Sequence, residues 1–294
     1  MTNYYPIISV ILPVFNGKKT ILAAVTSICQ QTFENWELLV LDDGSTDDSL
    51  LVVSSLRDER IVPVPQTNAQ GLAARLNQGI DLAKGKYIAR MDADDIAFPE
   101  RLARQVEFLE CHPDVDLVGA RAIAFRDDGS VIGLLPFAQN HDEICARPWN
   151  NIPLAHPTWM GRAEWFRRHR YAIPEYHRAE DQELLIRASQ TSTFACLPDV
   201  LLAYRQGPFS ARRTLTGRTS LLRAQARHFL QRGEIGFLCK SFVLYGIKSI
   251  VDLGASLPGM DKLYFTRMRD APDPESLHYF LCIFADQESL GKKC

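Results

Sequence analysis

The chain has 294 residues, 46% hydrophobic and 23% charged, with a formal net charge of −2. That length can bury a substantial core, as one large domain or as a domain with an appendage. The near-neutral charge gives no reason to expect nucleic acid as a partner. Seven cysteines (Cys29, Cys111, Cys145, Cys196, Cys239, Cys282, Cys294) are scattered without metal spacing. An odd, dispersed set points to reduced thiols in the cytoplasm rather than a disulfide framework. The first residues lack a basic stretch and a long apolar run, so no signal peptide is expected. No segment reaches the roughly 18–20 apolar residues a spanning helix needs. The best candidate, Ile235 to Leu257, is interrupted by Lys240, Lys248 and Asp252.

In chain order, Ile7 to Leu12 reads as a buried strand closed by Pro13, followed by a helix over Lys18 to Gln31 with Ile21, Val25 and Ile28 at helical spacing. Trp36 to Leu41 is a second strand, ending in Asp42-Asp43-Gly44-Ser45, and Thr46 is expected to cap a helix through Leu56. A short strand at Ile61 to Val64, a helix from Leu72 to Ala83 and a strand at Tyr87 to Met91 complete a βαβαβαβ order. This order predicts an α/β fold with a mostly parallel central sheet and helices on both faces. A helix over Pro99 to Glu110 follows, then a hairpin of Val115 to Phe125 with Val131 to Leu135. Beyond it, helices are expected near Glu164 to Arg168, Asp181 to Ser189 and Thr216 to Arg232.

The most informative stretch is Tyr87-Ile88-Ala89-Arg90-Met91-Asp92-Ala93-Asp94-Asp95, where an apolar strand ends in three carboxylates within four residues. Ligands of parallel sheets bind beyond the carboxyl ends of strands, and crowded carboxylates there call for a cation. Hard oxygen ligands suit Mg²⁺ or Mn²⁺, with phosphate oxygens and water completing the shell. The competing reading is a solvated turn that favours the N-terminus of the next helix. Strand one runs into Pro13-Val14-Phe15-Asn16-Gly17, with no Gly-x-Gly-x-x-Gly and no phosphate loop. A dinucleotide-binding Rossmann domain is therefore not expected.

Four motifs occur in order: Val10 to Asn16, Asp42 to Asp47, Met91 to Asp95, and Ala179-Glu180-Asp181. Together they resemble the family-two glycosyltransferases of the GT-A fold, inverting enzymes that build bacterial polysaccharides and lipid-linked oligosaccharides. The resemblance covers roughly residues 6 to 205. It implies a GT-A domain over 1–205, with a nucleotide-binding half near 1–98 and an acceptor half near 99–205, and a basic helical extension over 206–294. It implies that Pro13 and Phe15 contact the nucleotide base, Phe15 by stacking, whereas residue type alone also allows Phe15 a place in the core. Asp43 matches the carboxylate that accepts the uracil N3–H; Asp42 could take that role instead, or both could cap their turn. Arg75 matches an arginine near the base and Asp43, against a solvated helix arginine. In the Asp-x-Asp motif, Asp94 is implied as the metal ligand, with Asp92 reaching ribose or metal-bound water and Asp95 farther back. Asp181 is the implied catalytic base, beside Glu180, and a helix N-terminus would also favour its charge. His156 resembles a histidine beside the acceptor site, against a structural role.

Two departures stand out. Tyr204-Arg205-Gln206-Gly207-Pro208 lacks the histidine that many relatives carry after such a pair, and the Gln-x-x-Arg-Trp motif of processive synthases is absent. Single sugar additions from a nucleotide-diphosphate sugar, UDP-linked, to a glycan or lipid-linked acceptor are therefore expected. From Arg205 to Arg232 there are seven arginines and no acidic residue. A loop around Arg212 and Arg213 could hold the donor diphosphate. The same region could meet anionic lipid on the inner face of the membrane, with an interfacial helix in 235–257. A solvated helical face with a buried C-terminal helix is the third reading. The alternatives to a transferase are a sugar-1-phosphate nucleotidyltransferase, against which the missing glycine-rich basic loop counts, and a degenerate nucleotide-sugar-binding protein.

Overall fold

The computed structural model describes residues 5–174, 176–257, 265, 268 and 270–291. Cys294 and residues 1–4, on which the expectation of no signal peptide partly rests, lie outside that set; the six other cysteines are free thiols. β1 (Ile8–Val14), β2 (Trp36–Asp42), β3 (Ile61–Val64) and β4 (Tyr87–Arg90) pair in parallel in the order β3-β2-β1-β4. Helices α1 (Ile21–Cys29), α2 (Ser49–Ser55) and α3 (Leu72–Leu82) connect them. Every residue of β1 and β2 is buried, as a sheet covered on two faces requires. Val10 and Leu12 pack with Ile21, Val25 and Ile28 of α1, while Ile11 packs with Leu76 and Ile80 of α3.

The one polar residue inside β1 is fully satisfied. Ser9 Oγ donates to Glu37 Oε1 at 2.6 Å and accepts from the Lys84 and Gly85 amides at 3.1 and 2.8 Å. A Cβ on Gly85 would meet Ser9 N at 2.6 Å, so the turn into β4 approaches the sheet as only glycine permits. These bonds fix where β4 starts, and hence where its acidic end emerges. Thr46 does not cap α2: its amide donates to Asn16 Oδ1 at 2.8 Å, and α2 begins three residues later. The β2–α2 loop is thereby tied to the β1–α1 loop.

The second half is mixed. Its elements are β5 (Ile96–Ala97), α4 (Arg101–Cys111), β6 (Leu117–Phe125), β7 (Val131–Leu134), α5 (His141–Cys145), β8 (Met160–Arg162), α6 (Ala163–Arg168), α7 (Glu180–Ala188) and β9 (Phe194–Arg205). The sheet continues β4-β8-β6-β9-β5, with β7 paired to β6 as the expected hairpin. β8 runs antiparallel to both β4 and β6, whereas β6 and β9 are parallel. A 3₁₀ turn at His156–Thr158 leads into β8, and α6 follows it directly, so it crosses between β4 and β6 as a short reversed strand. The 12-residue β9 was not expected, because Pro198 sits inside it; two register irregularities against β6 accommodate the break.

Three helices follow: α8 (Ala211–Arg232), α9 (Ile235–Ala255) and α10 (Pro274–Gly291). α8 starts five residues before the expected Thr216, where Ser210 Oγ accepts from Arg213 N, and ends on Gly233 at φ 70°. It is fastened to α7 by a buried cluster. Glu183 accepts from His228 Nε2 and Arg187 Nε, each at 2.9 Å. α10 returns to the sheet, where Phe280 is buried against Ile96, Phe98, Phe125 and Leu134.

Two stability outcomes follow from this packing. Phe280→Ala leaves a cavity in the cluster shared by α10, β5 and β6, and should cost about 3–5 kcal/mol in urea denaturation. For Glu183, burial opposes ionisation, but the His228 and Arg187 hydrogen bonds outweigh it and hold the carboxyl down at about 2, against an ordinary 4.5. A depressed carboxyl stabilises the fold above its unfolded value, and that contribution disappears as pH falls from 4.5 through about 2. Denaturation followed over that window should lose on the order of 2–3 kcal/mol in the native protein, with a clearly shallower dependence in Glu183→Gln.

Candidate active site

The parallel register brings three strand ends to one edge. Val14 lies opposite Asp42, Ile11 opposite Arg90, and the Met91 and Asp43 amides donate to Ile11 O and Val14 O. Phe15, Asp43 and Asp92 therefore emerge side by side, where open α/β sheets hold ligands. Phe15 is 57% exposed, so it is not a core residue. Asn16 beside it takes φ 54°, a left-handed turn that asparagine tolerates. Pro13 is buried within β1 opposite Leu41. Asp42 is consumed by its own turn, accepting from the Gly44 and Ser45 amides. Asp43 reaches across instead: its oxygens accept from the Gln70 and Gly71 amides at 2.8 and 2.9 Å, and Arg75 Nε stands 3.3 Å away. Arg75 is not a solvated arginine. Its side chain is 3% exposed, and its guanidinium also donates to Gln70 and Gln78.

Beyond β4, Asp92, Asp94 and Asp95 each offer an oxygen, all within 4.8 Å of one another. Burial and the neighbouring Asp92 push the Asp94 carboxyl up to about 6, even though the side chain reaches solvent. Burial first, then Asp94 and Asp92, raise Asp95 well above the ordinary range. One oxygen of Asp95 accepts from Arg205 N at 2.8 Å; the other is buried with no hydrogen-bond partner among the described residues. Three clustered carboxylates with an orphaned buried oxygen fit a hard divalent cation, with the phosphate oxygens of a ligand as further donors. Asp95, expected farther back, belongs to the same cluster.

Sequence reasoning gave no role to Arg90, which the fold puts at the centre. It is fully enclosed, and its Nη2 lies 2.5 Å from Asp92 Oδ1. Burial works against its charge, but Asp92 more than compensates and raises its pKa. The same guanidinium lowers the carboxyls of Asp94, Asp95 and Asp181 and disfavours a proton on His156. Its signal in the sequence was a lone cation in a buried strand, two residues before the acids. Beneath it, Arg101 Nη2 donates to Arg90 O at 2.6 Å, and burial brings Arg101 down to about 9.

α7 carries Glu180 and Asp181 in its first turn. Burial raises Asp181, against hydrogen bonds from the Gln182 amide and side chain and the field of Arg90. The hydrogen bonds at the helix N-terminus favour its charge, as the resemblance implies, but burial outweighs them. His156 is held well below its usual pKa by burial and then by Arg90, so it is neutral, and its Nε2 pairs with Tyr171 OH at 2.7 Å. Tyr171, also missed in the sequence, lies within the fields of Arg90, Asp181, Glu180 and Asp92. Both carboxylate groups, far apart in the chain, therefore lie within the field of one enclosed cation.

Arg205 closes the near side: its amide holds Asp95, its Nε donates to Asp94 O at 2.8 Å, and it lowers the Asp94 carboxyl. Arg212 and Arg213 are not on a loop. They are exposed in the first turn of α8, which starts six residues after Arg205, and a Cβ on Gly217 in the next turn would meet Arg178 O at 3.3 Å. The start of α8 thus follows closely on the segment that holds Asp94 and Asp95, and its second turn touches the loop leading to Asp181.

The family description "Glycosyl transferase family 2" matches residues 9–170, more than half of the chain. The putative glycosyltransferase EpsE of Bacillus subtilis is 35% identical over 192 residues, 63% of this chain and 67% of that one. The Escherichia coli protein WfaP, named a UDP-Glc:alpha-D-GlcNAc-diphosphoundecaprenol beta-1,3-glucosyltransferase, is 36% identical over 104 residues, 35% of this chain and 41% of its own. Among solved structures, Staphylococcus aureus TarS 1–349 in complex with UDP-GlcNAc aligns with a TM-score of 0.61 at 18% identity, over 80% of this chain and 71% of that one. That likeness is one of fold, and it includes the mixed sheet and its helices. With its strand-end site and the matched segment in agreement, the chain belongs to glycosyl transferase family 2.

Proposed function

We propose that this glycosyltransferase moves one sugar from a UDP-sugar to a hydroxyl of a glycan or lipid-linked acceptor, with inversion at the anomeric carbon. The observation that supports this reading is that the Asp92, Asp94 and Asp95 cluster and Asp181 share the field of one buried cation, Arg90. The name of WfaP, which pairs a UDP-sugar with a diphospholipid-linked acceptor, supports the choice of substrates.

Phe15 stacks on the base, Asp43 accepts the uracil N3–H while braced by Arg75, and Asp92 meets the ribose; Pro13 lines the base pocket from within β1. Asp94 would hold Mn²⁺ or Mg²⁺, with Asp92 and Asp95 close enough to share it. When bound, such a cation supplies electrostatic stabilisation of the departing diphosphate. Arg212 and Arg213 add positive charge at the rim, where the diphosphate leaves. Asp181 takes the proton of the acceptor hydroxyl as its oxygen attacks, and its raised pKa brings its basicity closer to neutral pH. Glu180 and neutral His156, with Tyr171, line the acceptor side; a histidine that stays uncharged beside Arg90 orients the hydroxyl without drawing Asp181 into an ion pair. The working location is the cytoplasm, in peripheral contact with the inner face of the membrane.

Asp181→Asn should bind UDP with Mn²⁺ as tightly as the native chain in calorimetry, yet lose about 10²- to 10⁴-fold in transfer rate. Native-like turnover by that variant would remove Asp181 from the role. Asp94→Asn should show the converse pattern, with the Mn²⁺-dependent part of UDP affinity lost; an unchanged metal dependence would move the cation elsewhere.

A further inference from the structure

Helix α9 buries a mixed face and leaves an apolar one outside. Toward the protein, Phe237 and Leu238 pack at its start and Ala255 at its end, but the stretch between is held by polar groups: Ser241 and Asp252 are buried, Asp252 pairs with Arg218, and Tyr245 OH meets Thr219 Oγ1 at 3.3 Å. Lys248 pairs with Asn150 on the same side. The outward side carries Phe242, Val243, Ile247, Ile250 and Leu253, exposed by 54, 64, 54, 73 and 73%. With Ile235 and Leu257 these residues form a stripe about 140° wide at ~100° per residue, continued by glycines and free of charge. An exposed apolar band along a helix of 21 residues, about 31 Å long, marks an interaction surface.

We propose that this face of α9 lies in the headgroup layer of an anionic lipid bilayer, parallel to its surface. The proposal rests on the lipid-linked acceptor reading above for its purpose, and on three observations for its occupant. First, no helix among the described residues is long and apolar enough to cross a membrane, which fits a helix lying on one. Second, residues 205–257 carry seven arginines and two lysines against Glu234 and Asp252, an excess of seven positive charges in a chain of net −2. Lys240 is exposed at the stripe's edge, and Arg223 and Arg227 are exposed on α8. Third, pairing the stripe with a second copy would bring two such basic regions together, which like-charge repulsion opposes and lipid phosphates relieve. Because α8 joins α9 to the cleft through Arg218 and stands beside Arg178, docking would hold the acceptor side close to the headgroups.

The test is flotation of the full chain with phosphatidylcholine vesicles, with and without phosphatidylglycerol. Native protein should float with the anionic vesicles about ten-fold more than with neutral ones. Combined Val243→Ser, Ile247→Ser and Ile250→Ser changes alter only exposed side chains, and should abolish flotation while leaving UDP–Mn²⁺ affinity unchanged. Arg223→Glu with Lys240→Glu should weaken it selectively on anionic vesicles. Equal partitioning of native and serine-substituted protein would overturn the proposal. So would a native dimer, seen by sedimentation without vesicles, that the serine changes convert to monomer. Failure of UDP binding in the native chain would instead overturn the transferase reading and leave the flotation result standing.

Discussion

The arrangement depends on one buried cation among carboxylates. Arg90 leaves the aqueous phase at the end of a parallel strand, where an unpaired guanidinium would carry a heavy desolvation cost. It is tolerable because Asp92 pairs with it directly and Asp94, Asp95 and Asp181 share its field. The reverse also holds: without that charge, three carboxylates within 4.8 Å of one another would repel strongly in a partly dehydrated edge. Yet one guanidinium does not neutralise the cluster. Asp94 and Asp95 remain raised, and an oxygen of Asp95 lacks a partner among the described residues. Such residual frustration is characteristic of sites preorganised for an incoming cation and its anionic ligand.

The scaffold holds this site rigidly on one bank and more loosely on the other. Asp43, Asp92 and Asp95 stand at or next to strand ends and are each tied to backbone or to a buried arginine. The bank that carries Asp181 depends instead on how α7 packs, and α7 is clamped by Glu183 to His228 of α8. α8 therefore serves three places at once. Its start lies at the cleft rim, its middle holds α9 through Arg218, and its end steadies α7. A helix with seven basic residues in and just before it can take that position because its outward face is solvated and its inward contacts satisfy Arg218 and Arg232.

The exposed apolar stripe of α9 follows from the same economy of polar contacts. α8 presents Arg218 and Thr219 toward it, and Asp252, buried on α9, is satisfied by pairing with the partly exposed Arg218. With Ser241, Tyr245, Lys248 and Asp252 of α9 used inward beside Phe237 and Leu238, the helix's remaining apolar residues are left outward. A helix of this kind is stable on the protein because buried hydrogen bonds are made, while the uncovered stripe stays available for something outside the chain.

From the sequence alone, the first four strands and their helices were determined, since continuous apolar runs and helical spacing report burial that is local in the chain. The strand-end motifs were legible for the same reason: a strand that stops at Asp42, or at Arg90 just before Asp92, must deliver its next residues to the edge. What only the tertiary structure decided were relations between distant segments. Arg90 acquired a role because β4 packs beside the turn holding His156, and its charge reaches Asp181, residues that lie 66 and 91 positions further along the chain. The strand containing Pro198 exists because β6 offers it a partner, against its local propensity. The direction in which α9 faces could not be read from its periodicity, because a periodic pattern separates polar from apolar sides without saying which side meets the protein. That choice was made by the charge on α8.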